Sequence, residues 1–195
     1  VLLIVLLIVG GYFVFVDRSN KVKNNDQGSG NDLNKNISDN SDNSDISWQM
    51  TNDGGYQSSG TPPECPSPLT LLSPTDLTKV VSILYPGQIR GDDYKPHGGF
   101  RFADGANQVN VIAPMDASVV DGSRYLVNGE IQYTFDFVNS CGLQYRLGHL
   151  RILSSEYEKI VDQFPEAQEM DSRTTQVIPP IKVKAGDTIA TAVGL

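Results

Sequence analysis

The sequence predicts a mostly β domain built from antiparallel strands, and three observations carry that expectation. First, "QVNVIAP", "ASVVDG", "EIQYTFDFV" and "LQYRLGHL" are short, rich in β-branched or aromatic residues, and bounded by Gly, Pro, Asn or Asp. Second, in "EIQYTFDFV" the residues Ile131, Tyr133, Phe135 and Phe137 alternate with Gln132, Thr134 and Asp136, the period of a strand with one buried face. Third, "NSCG" at 139–142 turns the chain, and Leu143, Tyr145 and Leu147 continue the alternation on a returning strand. His149 is next in that series, which predicts it on the apolar face. A core histidine satisfied by a carbonyl gives the same pattern, so the pattern alone assigns it no role.

Along the chain, residues 1–16, "VLLIVLLIVGGYFVFV", carry no charge or strong hydrogen-bonding side chain and read as a partial transmembrane helix or signal anchor. A cleaved signal peptide is the other reading, although no small-x-small site precedes Asp17. Arg18, Lys21 and Lys23 just after the run favour a cytoplasmic flank, whereas the motifs farther along favour an extracytoplasmic domain. Residues 17–60 are dominated by Asn, Asp, Ser and Gly, with too little apolar surface to offset the entropy of ordering, and read as a disordered linker. Such a coil of 44 residues reaches roughly 35–40 Å on average. Residues 61–74, "TPPECPSPLTLLSP", are a Pro-rich extended lead-in.

The globular part is expected over 75–195. "TDLTKVVSILY" predicts a short helix capped by Thr75 or Asp76, with apolar positions at Leu77, Val80, Val81 and Leu84, and "PGQIRG" a turn after it. Residues 154–175 form a charged insertion with a helix over 155–163 stopped by Pro165. "PPIKVKAGDTIATAVGL" reads as strand, Gly-Asp turn, strand.

A net charge of −8 and a pI near 4.6 argue against nucleic acid as partner, because a phosphate-binding surface needs clustered Lys and Arg. Two cysteines, Cys65 and Cys141, are too few for a zinc knuckle or a disulfide framework. Outside the cytoplasm they would either pair, tying the start of the domain to the 139–142 turn, or remain as two thiols.

"HGGFRF" from His97, "YRLGHL" ending at Leu150 and "VKAGDTIATAVG" from Val183 occur in the order and character of the lysostaphin-type (LytM-type) zinc metallopeptidases, over about residues 94–195. The resemblance implies the duplicated hybrid motif fold, an antiparallel sandwich-like sheet domain. It also implies activity on bacterial peptidoglycan, with zinc as cofactor and cell-wall peptide as substrate. Carried over by position, His97 matches the first zinc ligand and His149 the catalytic histidine of the family's "YxHL". They are the chain's two histidines. In that mechanism zinc polarises the scissile carbonyl and activates water, and His149 orients the water or stabilises the oxyanion.

Two departures from the family bear on the chemistry. Arg101 occupies the family's aspartate-ligand position, and the sequence ends at Leu195, just where the H-x-H pair would be approaching, so the C-terminal part of the domain is expected to be missing from it. Arginine has no lone pair for a metal. A reversed charge about 5 Å from zinc changes an interaction of roughly 3 kcal/mol for each unit of metal charge at an effective dielectric of 20. Asp93 and Asp104 are the nearby acids that would have to substitute.

The sequence therefore leads to a membrane-anchored, extracytoplasmic, catalytically degenerate domain that binds peptidoglycan or regulates a hydrolase. Arg101 and Tyr145 are its expected ligand-binding residues, Arg101 gripping a stem-peptide carboxylate. An active zinc endopeptidase and an envelope scaffold with a protein partner are the competing readings.

Overall fold

In the computed structural model the described residues are 46–194, and the apolar segment 1–16 and most of the linker lie outside them. No helix among the described residues is long and apolar enough to cross a membrane. The described part is mostly antiparallel β, as expected. Its centre is a four-stranded sheet in the order β10-β9-β8-β11, formed by β8 (Ala117–Val127), β9 (Glu130–Val138), β10 (Gln144–Leu150) and β11 (Thr175–Val183). Asn128 and Gly129, both at positive φ, make the tight connection from β8 to β9.

One face of this sheet carries the main core. Phe135 and Phe137 are fully buried there with Val119 and Leu150. Against them pack Tyr157, Ile160 and Phe164 from the 154–164 segment. Val111 and Ile189 complete the cover from the paired strands β7 (Val111–Ile112) and β12 (Thr188–Ala190). Each such side chain removed from water contributes on the order of 1.5–3 kcal/mol.

The opposite face departs from the alternation rule. Gln132, Thr134 and Asp136, expected on a solvated face, are buried, whereas Ile131 at the strand's start is exposed. Part of their cover is a hairpin of β1 (Trp48–Met50) and β2 (Tyr56–Ser58), which lies within the stretch that composition assigns to the linker. Its Tyr56 donates a short hydrogen bond to Asp121 of β8. Cys65 and Cys141 pair, with a Cα–Cα distance of 5.2 Å, joining the lead-in to the β9–β10 turn. This resolves the open alternative in favour of a disulfide.

Three local expectations are corrected. The predicted helix after Thr75 is a single 3-10 turn, Leu77–Lys79, capped by the Asp76 side chain and followed by strand β3 (Val80–Leu84). The run Val80-Val81-Ser82-Ile83 is β-branched enough to prefer a strand once a partner is present. That partner is β6 (Gly99–Phe102). The "PGQIRG" turn contributes strand β4 (Gln88–Arg90), paired with β5 (Asp93–Lys95). The insertion's helix is only α1 (Ser155–Glu158), followed by a 3-10 turn at Val161–Gln163 rather than continuing unbroken to Gln163.

Candidate functional site

The two histidines fall on different elements. His149 is the penultimate residue of β10, and its placement follows from a bulge. Tyr145 opposes Phe137 and Leu147 opposes Phe135, but Leu150 then opposes Tyr133, so Gly148 and His149 together face a single residue of β9. His149 takes φ +57°, left-handed backbone that few side chains adopt. This extra residue gives the apolar face to Leu150, 1% exposed, and turns His149 to the polar face. The expectation that His149 continues the Tyr145–Leu147 face is thereby corrected.

On that face the imidazole is held by a defined chain of contacts. Arg151 pairs with Glu130 at 2.8 Å, and Glu130 accepts from the Gln132 amide nitrogen at 3.1 Å. Because that nitrogen is committed to a carboxylate, Gln132 presents its oxygen to His149 Nδ1, at 2.7 Å. Nδ1 therefore carries the proton in the neutral ring, and Nε2 keeps its lone pair. The Tyr125 hydroxyl accepts from the His149 backbone N–H at 3.2 Å, and its ring meets the imidazole edge-on at 6.2 Å. Gly194 donates to the His149 carbonyl at 2.6 Å. A Cβ on Gly194 would stand 2.0 Å from Gln132 Nε2, so a larger residue there would displace the Gln132 amide from His149.

His97 lies in the bend between β5 and β6, exposed, and its carbonyl accepts from Arg90 Nη2 at 2.9 Å. Its imidazole pKa is held below the ordinary value by burial first, and then by the charges of Arg90, Lys95 and Arg146. His149 is lowered likewise, by burial and then by His97 and Lys95. Lys95 thus acts on both imidazoles, while Arg90 and Arg146 act on His97 alone. Lys95 is partly offset by Asp93 at 3.1 Å.

Arg101, the third sequence-predicted residue, sits on β6 opposite Ser82, exposed, and is not among the cations that act on His97. Tyr145, the fourth, stacks on Phe137 at 4.5 Å and donates its hydroxyl to the Met115 carbonyl at 3.2 Å. It also borders a cleft of about 530 Å³ between the β1–β2 hairpin and the sheet, together with Met50, Tyr56, Asp136 and Arg146. Arg146 grips Asp136 with a two-pronged contact, 2.6 Å for each bond. Tyr145 is thus a packing residue that also lines this cleft.

Among the described residues the donors beside the histidines do not make up a zinc set. A zinc site takes at least three protein ligands, drawn from His, Cys, Asp and Glu. Among the described residues no group of three or more of these side chains is placed to hold a metal. Asp93 is engaged with Lys95, and the groups nearest the histidines in charge are cations.

Sequence reasoning missed Gln132, Tyr125 and Gly194. The signal for the first two was Gly148 inside a strand pattern, which marks a bulge and hence a change of face. Comparison with protein-family models, with curated proteins and with solved structures finds no match to this chain.

Proposed function

We propose that this chain is a non-catalytic, lysostaphin-type binding module, held outside the cytoplasm by its apolar N-terminal segment, that recognises a carboxylate of a peptidoglycan stem peptide. The observation that supports it is the charge beside the histidine pair: Lys95 acts on both His97 and His149, and Arg90, which donates to the His97 carbonyl, acts on His97, with no group of three metal-ligating side chains among the described residues. Neutral imidazoles beside fixed cations offer hydrogen bonds and positive potential to an anion, without an ion to activate water. The carboxylate grip falls to Arg90 and Lys95 in this reading, rather than to Arg101. A module of this kind acts at the cell wall by binding it, or by presenting it to a hydrolase.

Co-sedimentation with insoluble peptidoglycan tests the reading. Charge-assisted contacts are worth about 1.5–3 kcal/mol each, so Arg90→Ala with Lys95→Ala is expected to weaken binding roughly tenfold or more, and a chelator to change nothing. Binding that vanishes with the chelator, or is indifferent to both substitutions, rejects it.

A further inference from the structure

Strands β3 and β6 form a two-stranded sheet, and neither has a second strand neighbour among the described residues. Around it the surface is unusually apolar. Val81, Ile83, Tyr85, Ile89, Tyr94 and Phe100 are 36% to 75% exposed, within twenty residues of sequence. Large apolar side chains left exposed in this number are what an interaction surface offers. The register sorts the chemistry by face: Ile83 opposes Phe100, while Ser82 opposes Arg101. One face of the pair is therefore apolar, and the other carries a guanidinium.

Charge selects the partner. Residues 77–101 hold four cations, Lys79, Arg90, Lys95 and Arg101, against two anions, Asp92 and Asp93, in a chain whose net charge is −8. The Arg101 side chain makes no ion pair or hydrogen bond within the described residues. A second copy of the chain would bring like charge to like charge, so the surface disfavours itself.

We propose that the outer edge of β6 accepts an extended, acidic segment of a partner protein by strand addition. The segment alternates apolar side chains, packed on Phe100, with carboxylates reaching Arg101. Main-chain hydrogen bonds to Gly99–Phe102 supply affinity, and the period of two supplies specificity. Arg90 and Lys95 serve the His97–His149 face as well, but Arg101 acts on neither histidine, so substitutions at Arg101 test this proposal without touching the other.

The probe is an end-capped synthetic decapeptide alternating Glu and Val, titrated into the isotopically labelled protein and followed by amide chemical shifts. Saturable shifts centred on Gly99–Phe102 are expected, with affinity at least tenfold weaker for Arg101→Glu. Weaker binding at high salt is expected too, and none when alternate peptide amides are N-methylated. Arg101→Gln, which removes the charge without reversing it, serves if the Glu variant loses shift dispersion. The proposal is overturned if a Lys-Val decapeptide binds as tightly or the N-methylated peptide binds unchanged. Shifts that fall elsewhere, no binding at all, or sedimentation as a dimer closed through β6 overturn it equally.

Discussion

His149 shows how much one residue's backbone decides. With an unbroken strand its imidazole would lie among Phe135, Leu147 and the aromatic core; one extra residue at Gly148–His149 puts it against Gln132 instead. A second residue-scale consequence lies at Asp121, fully buried beneath Tyr56, with one carboxylate oxygen unpartnered among the described residues. Burial raises its pKa most; the Tyr56 hydrogen bond opposes this, and the facing Asp136 adds to it. The native state therefore binds more protons than the unfolded chain from the ordinary carboxylate range up to the raised value. The stability Asp121 contributes is full below that range and is lost as pH rises through the folded pKa. Asp121→Asn keeps an acceptor for Tyr56 without the buried charge. It should melt a few degrees higher than the parent at pH 7.5, at about 2–4 °C per kcal/mol for a chain of this size, with the difference shrinking toward pH 4. A variant that melts lower at pH 7.5 than at pH 4, each relative to the parent, contradicts this linkage.

At the scale of elements, β9 is the strand that both sides of the molecule need. Its apolar alternation was legible, and Phe135 and Phe137 are buried as the pattern requires. Burial of the intervening Gln132, Thr134 and Asp136 was not legible, because what covers a polar face arrives from distant sequence: Tyr56, Tyr125 and His149. Packing on the apolar face is close enough to dictate a glycine. A Cβ at Gly122 of β8 would stand 2.5 Å from Phe164 and 2.8 Å from Phe135, both ring carbons. Gly122→Ala should therefore destabilise the domain by about 1–3 kcal/mol, as overpacked cores do, measured by urea unfolding. A neutral outcome would mean the Phe164 segment yields freely. The β3 misreading has the same origin as the hidden polar face: its apolar spacing fits a helix or a strand, and pairing with β6 decided between them.

For the whole described domain, the lead-in and the β9–β10 turn are joined across 76 residues by Cys65–Cys141. Trp48 packs on the same turn, 3.1 Å from where a Cβ of Gly142 would stand. In the chain-entropy account a loop of that length is worth about 4 kcal/mol, most of it through the unfolded state. Replacing both cysteines by serine should lower unfolding free energy by roughly that amount in denaturant titrations, with the sheet's amide protection pattern retained. A change below about 1 kcal/mol would indicate that the lead-in and the hairpin hold together without the bridge.

By itself the sequence determined the class of fold, since strand periodicity and turn residues are local properties that the backbone must obey. It determined the acidic balance, and it supplied just two histidines, on motif-like positions. Only the tertiary structure decided which way those histidines face. A disulfide and a covering hairpin each depend on residues far apart in the chain meeting in space, and no short window of sequence contains both partners. The charge felt by His149 is of this kind: Lys95 comes from the β4–β5 hairpin and His149 from the end of β10, brought together by packing alone.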